Sequence, residues 1–205
     1  MPRIAVAGPS SVVTDAGIVV AEEGGSVVDV AIVAALTAMC TEPGVCGPGG
    51  GGFLTVDVPG RSPVVVDGYM AFPGKGFTGE PRLREVTMAY GGGVTTLVDA
   101  GSIAVPGVFA GLSSAADMFG LVPWSWLMEV VADAVEEGFP LSAPCHLYLN
   151  DGAAPIYLSD PVARDALFAG ERSRPLGATI QFPGLGDTLR YIGAEGAGVF
   201  YEGDL

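Results

Sequence analysis

The chain has 205 residues, 49% hydrophobic and 16% charged: enough apolar side chains for one sizeable core, and too many for a disordered polypeptide. Nine Lys and Arg stand against 23 Asp and Glu, a formal net charge of −14, and Lys75 is the sole lysine. That field repels phosphate backbones and anionic headgroups, so nucleic acid and membrane surfaces are excluded as expected partners.

Met1 to Ala16 carries only Arg3 before a short, weakly apolar stretch interrupted by Pro9, Ser10 and Ser11, which does not read as a signal peptide. Ser26-Val27-Val28-Asp29 has the form of a capping box with Asp as the acid. The run from there to Met39 is apolar nearly all round until Pro43, which predicts a buried helix. Its apolar stretch, Val30 to Cys40, is shorter than the roughly 18 residues of a membrane span. After Gly47-Pro48-Gly49-Gly50-Gly51-Gly52, the β-branched runs Phe53 to Val58 and Pro63 to Asp67 flank Pro59-Gly60-Arg61-Ser62 and predict a hairpin. Gly74 to Gly101 is Gly-rich with little periodicity and reads as loop. Val105, Phe109, Leu112, Ala116 and Phe119 recur at helical spacing behind Pro106 and ahead of Gly120. Trp124, Leu127, Met128, Val131 and Val135 do the same between Pro123 and Gly138, so the two helices are expected to form an αα-hairpin. Asp160-Pro161 opens a short helix toward Phe168, and Thr188 to Ile192 forms another before Gly193. The expectation is one layered α and β domain over residues 1–205, with no linker that would mark a second.

The candidate chemistry is sparse. The glycine run satisfies G-x-G-x-x-G, but the order is helix, glycines, strand, which is wrong for a dinucleotide site. Gly68 to Lys75 fails as a Walker loop by spacing and by Gly76 at the Ser/Thr position. Glycines 49–52 are expected instead to let backbones approach closely. His146 is the only histidine and adjoins Cys145 without forming a dyad. Ser10, Ser113 and Ser142 lack a G-x-S-x-G elbow, and nothing marks a cleavage that would free the amine of Thr95 or Thr96. Asp67, ending a strand, either orients a neighbour or caps a turn. Cys40, Cys46 and Cys145 cannot all pair within one chain and form no C-x-x-C spacing, so a reducing, cytoplasmic setting is expected. The ligand residues for a metal are missing, and no cofactor is inferred.

Read as ordered words, the chain carries Gly24-Gly25-Ser26-Val27-Val28-Asp29-Val30-Ala31, Glu42-Pro43 and Gly49-Gly50-Gly51-Gly52-Phe53. Then follow Asp67, Pro73, Gly101, Ala104-Val105-Pro106-Gly107, Gly111 and the Gly120, Pro123, Trp124 group. Glu136-Glu137-Gly138-Phe139-Pro140, Thr188-Leu189-Arg190 and Phe200-Tyr201 complete the series. The set, in this order over nearly the whole chain, resembles the gamma-glutamyltranspeptidase family. The resemblance implies the α/β fold of N-terminal nucleophile hydrolases, an αββα four-layer sandwich that would be incomplete in this chain. It also implies the front part of a large subunit, with no catalytic residue of its own. The nucleophile, an N-terminal threonine, would come from a small subunit encoded beyond Leu205 and would act on a small-molecule amide.

Where the family reads Asp-Phe-Arg-Glu-Thr-Ala-Pro, this chain has Asp67-Gly68-Tyr69-Met70-Ala71-Phe72-Pro73. By the resemblance, Asp67, Tyr69, Met70 and Phe72 line the acyl pocket, and Gly49, Gly50, Gly51 and Gly52 turn the chain beneath the central sheet near it. Tyr69 replaces an arginine that clamps the glutamyl α-carboxylate, a contact worth about 1.5–3 kcal/mol. An uncharged or hydrophobic acyl donor is therefore expected in place of glutathione, unless Tyr69 simply packs in the core. The alternatives are a non-catalytic remnant or structural subunit that binds a partner, and an independent small-molecule binding domain.

Overall fold

The computed structural model describes residues 4–203 and Leu205, so Met1 to Arg3 of the expected leaderless N-terminus lie outside the described residues. The organising element is α2 (Val27–Thr41). Its capping box forms as expected: Ser26 Oγ accepts the N–H groups of Val28 at 3.2 Å and Asp29 at 3.1 Å. Asp29 Oδ2 in turn accepts the Ser26 N–H at 2.7 Å. Because α2 is apolar nearly all round, most of it is buried, with Val27 exposed and Ala31, Ala35 and Ala38 partly so on one face. α1 (Ser11–Glu22), α3 (Val108–Phe119) and α4 (Trp124–Glu136) pack on it, with Ile32, Val33 and Leu36 fully covered. Asp29 is fully buried, and its Oδ2 also accepts the Leu121 N–H at 2.9 Å, tying the start of α2 to the α3–α4 connection. Gly120 is required beside it, since a Cβ there would lie 2.8 Å from Asp29 Oδ1.

α1 is the first departure from expectation. Pro9 and Ser10, read as interrupting a short, weakly apolar stretch, precede a helix start, and Val13, Ala16 and Val20 bury against α2. The first hairpin forms as expected, with β1 (Gly52–Val56) antiparallel to β2 (Val64–Gly68) and Phe53 opposite Asp67. A second hairpin occupies the stretch expected to be loop: β3 (Arg84–Met88) pairs with β4 (Val94–Val98) through a turn in which Gly91, Gly92 and Gly93 all have positive φ. Val86 and Met88 bury on one face of it.

α3 starts three residues later than its apolar spacing suggested. Val105 is held instead in an antiparallel bridge to Ala71, each N–H donating to the other's carbonyl at 2.9–3.0 Å. The predicted αα-hairpin does not form as a packed pair, because α3 lies on α2 and β2 whereas α4 packs against α2 and α8 (Leu185–Glu195). Gly193 is not a helix stop: it lies inside α8, where a Cβ would sit 2.8 Å from Met128 Cβ, and so permits close α4–α8 contact. Arg190 fastens the same pair of helices, reaching Glu129 at 3.0 Å, Asp133 at 2.8 Å and Glu136 at 2.6 Å.

After α4 come β5 (Phe139–Pro140) and α5 (Ala143–Tyr148), then a π-helical turn (Leu149–Ala153) and α6 (Ala154–Tyr157). α7 (Pro161–Leu167) opens, as expected, on Asp160, whose carboxylate accepts the Ala163 N–H. The short strands β6 (Phe168–Ala169), β7 (Arg172–Ser173) and β8 (Thr179–Ile180) and the terminal α9 (Val199–Glu202) complete the order. A second cluster, Phe139, Leu141, Cys145, Leu149, Leu167, Phe168 and Ile180, gathers these elements. Glu42 joins it to the main core, accepting hydrogen bonds from Ser142 Oγ at 2.5 Å and Cys145 Sγ at 3.0 Å. Among the described residues the strands pair only two by two, the expected state of a layered α/β fold present in part. No described helix is long and apolar enough to cross a membrane.

Candidate functional site

The segment after β2 is fixed by backbone contact. A Cβ on Gly51 would lie 2.7 Å from both Gly68 O and Met70 N, and one on Gly111 2.7 Å from Gly68 Cα; a Cβ on Gly107 would collide with Tyr69 O. Three glycines thus close around Gly68 to Met70. The Gly50 carbonyl accepts the N–H groups of Gly107 at 3.2 Å and Val108 at 3.4 Å, fastening the glycine run to the start of α3. The expectation of close approach therefore holds at Gly50 and Gly51. Gly49 and Gly52 face open space, and the run lies against Gly68–Met70 and the start of α3.

Held this way, residues 69–74 form one wall of a cavity of about 930 Å³. Tyr69, Met70 and Phe72 line it together. Tyr69 is half exposed, so core packing is ruled out for it; its ring stacks on Phe53 with centroids 5.4 Å apart and planes 10° apart. Asp67 is not on the wall. It is exposed, and its Oδ1 accepts the Tyr69 N–H at 2.9 Å, so it caps the turn that presents Tyr69. The opposite wall comes from the stretch expected to be featureless: Phe77, Glu80, Arg82, Leu83, Leu97 and the segment 100–104. Val and Thr alternation over residues 84–98 was the signal that could have located that second wall.

The other candidates lie elsewhere. His146 Nδ1 is 3.1 Å from the Arg174 carbonyl and 2.9 Å from Ser173 Oγ, which also accepts from Asn150 Nδ2. Ser173 is buried, so this is a structural network joining α5 to β7. Ser142 caps α5, and Thr95 pairs across the second hairpin with Thr87 at 3.2 Å. Burial pushes the Cys40 and Cys145 thiols up to about 12, holding both protonated and unreactive. Among the described residues no group of His, Cys, Asp and Glu side chains is arranged to hold a metal ion.

The fold is the α/β fold of N-terminal nucleophile hydrolases, present in part. The chain matches three-dimensional structures over its whole length. Transpeptidase CapD of Bacillus anthracis has 26% sequence identity and a TM-score of 0.80, with 100% of this chain and 63% of that one covered. Gamma-glutamyltranspeptidase of Pseudomonas nitroreducens, solved in complex with L-DON, has 27% identity and a TM-score of 0.78, covering 100% and 58%. The family profile described as gamma-glutamyltranspeptidase matches residues 13–205, and the chain belongs to that family. Similar curated proteins include glutathione hydrolase proenzyme 2 of Schizosaccharomyces pombe, 29% identical over 207 residues covering 99% of this chain and 32% of that protein. Scoloptoxin SSD14 of Scolopendra dehaani is 30% identical over 214 residues, covering 98% and 34%. The chain thus spans about a third of the length of the curated relatives it matches.

Proposed function

We propose that this chain is the large-subunit portion of a gamma-glutamyltranspeptidase-like amidohydrolase or acyltransferase, completed by a small subunit with an N-terminal threonine. One observation carries the reading: in a chain of this family, Tyr69, Met70 and Phe72 share an apolar wall of a cavity large enough for an acyl group. The acyl group lies along that wall. The threonine hydroxyl, delivered by the second polypeptide, attacks the amide carbonyl while its own amine takes the hydroxyl proton and passes it to the departing amine as the C–N bond breaks; water or an acceptor amine then removes the acyl group from the threonine ester. Tyr69 offers a ring where a glutamyl α-carboxylate needs a bidentate cation, which supports a non-standard donor with an apolar body in place of a glutamyl one. A reducing, cytoplasmic setting belongs to the same proposal, and a count of three free thiols in protein isolated without reductant tests it.

The test compares p-nitroanilides of gamma-glutamate, of an aliphatic acid and of an arylalkanoic acid. The chain alone is expected to be inert, and the chain with its threonine-bearing polypeptide to prefer the apolar acyl groups. Turnover by the chain alone, or preference for the glutamyl compound, contradicts the proposal. The rival, a non-catalytic subunit that binds a partner, draws on the same exposed aromatic side chains and predicts no turnover in either case.

A further inference from the structure

The cavity is apolar over most of its wall, so its charges are few. Among its lining residues only Glu80 and Arg82 are charged at neutral pH. Arg82 lies on the extended segment leading into β3, and its backbone is anchored: its carbonyl accepts the Gly101 N–H at 2.9 Å. A Cβ on Gly101 would lie 2.8 Å from that carbonyl, so the approach depends on glycine. Ala100, Gly101 and Ser102 themselves line the cavity, and the hydrogen bond thus ties Arg82 to its wall.

Among the described residues four other guanidinium groups are engaged, and Arg61 and Arg172, which have no such partner, do not line the cavity. Arg84 reaches Asp99 at 3.7 Å and Ser159 at 3.3 Å, and Arg164 reaches Asp165 at 3.1 Å. Arg174 donates to the carbonyls of Ala166 and Asp165, and Arg190 is held by the carboxylates of α4. Among the described residues the Arg82 side chain makes no hydrogen bond and no ion pair, not even with Glu80 two positions earlier. It alone joins an unengaged planar fork of donors to a place on the cavity wall. Such a fork matches a carboxylate in geometry as well as charge. At a net charge of −14 the long-range field disfavours anions, so an anionic ligand needs a local cation, and on this wall Arg82 is that cation. Glu80 and Arg82 are both exposed and hydrated, so it is the bidentate fork of Arg82, with no counterpart for an ammonium at Glu80, that favours a carboxylate.

We infer that Arg82 is a specificity-determining residue of this cavity, selecting acyl groups with an apolar body and a carboxylate at the far end. The body lies on Tyr69, Met70, Phe72, Phe77 and Leu97, and the carboxylate meets the Arg82 guanidinium. This rests on the cavity being the acyl site; carboxylate preference is read by binding and the acyl role by turnover, so each can fail alone.

Four probes share a phenyl ring and differ in charge: 4-phenylbutanoate, 4-phenylbutan-1-ol, 4-phenylbutylamine and L-phenylalanine. Each is titrated calorimetrically at low ionic strength into the protein, isolated with any polypeptide that co-purifies. The carboxylate is expected to bind about tenfold more tightly than the alcohol, with the amine and the zwitterion weaker than the carboxylate. Arg82→Gln removes that advantage and leaves alcohol binding unchanged. Arg82→Lys keeps part of it, and about 0.5 M salt erodes it in the unsubstituted protein, so the idea stays testable even should Arg82→Gln fold poorly. Equal binding of acid and alcohol, survival of the preference in Arg82→Gln, preference for the amine or the zwitterion, or failure of all four to bind overturns it.

Discussion

Around α2, most apolar side chains are covered. Ile32, Leu36, Leu127 and Val131 expose nothing, and the carboxyl group among them, Asp29, accepts the N–H groups of Ser26 and Leu121. Around the cavity the arrangement is reversed. Phe72 is 93% exposed and Tyr69 55%, while the backbone beneath them is gripped by Gly51, Gly107 and Gly111. The first region is held by side chains and the second by main chain, so side-chain identity can change at the cavity with little effect on stability. A surface organised in this way is suited to set ligand preference without disturbing the fold.

If that contrast is right, truncation in the core should have the largest effect. Leu36→Ala is expected to lower unfolding free energy by about 2–5 kcal/mol, measured by urea denaturation. Gly111→Val comes next, because its side chain must displace the Gly68 backbone; about 1–3 kcal/mol of stability should be lost, together with binding of phenyl-bearing probes. A substitution there that left both untouched would break the comparison from the cavity side. Tyr69→Ala sharpens it: the melting temperature should move little, while affinity for all aromatic probes drops by about tenfold as the stacked wall is lost. The smallest effect is electrostatic and lies on the surface of α4 and α8.

Arg190 lowers the Glu136 carboxyl below its ordinary value of 4.5, first through their hydrogen bond and then by charge. A carboxyl depressed in the folded state adds stability that is complete above its unfolded pKa and is lost as pH falls through the folded one. Melting curves from pH 6 to 3 should therefore show a decline that Arg190→Ala makes shallower. An unchanged slope would mean that the pair is fully screened by solvent.

Much of this was legible in the residues themselves. Ser26 and Asp29 announce the start of α2, and its unbroken apolar run announces its burial, because capping and hydrophobic periodicity are local properties. The first hairpin was legible for the same reason, through β-branched runs flanking a Pro-Gly turn. The second was not: its turn is three glycines, and the Val and Thr residues of β3 and β4 sit within a Gly-rich stretch whose composition resembles loop. Gly193 misled because a glycine that lets two helices meet looks, in sequence, like one that ends a helix. Of the site, Tyr69, Met70 and Phe72 could be named in advance. Asp67 was assigned to the same wall, yet its Asx hydrogen bond turns it to capping. Of the rest of the lining, Leu97 was within reach through the Val and Thr residues of β3 and β4, whereas Phe77 and Arg82 lie in a stretch with no periodicity to mark them.

By itself, the order of residues determined the family, through a series of words along nearly the whole chain, and also the buried central helix and the apolar character of the 69–72 segment, which depend on neighbours within a few positions. The tertiary structure alone decided that α3 and α4 part company and that Gly193 is a contact point. It also brought Arg82 into the same cavity as Tyr69. Those outcomes depend on residues distant in sequence competing for the same space, and that competition is settled only when the chain has closed on itself.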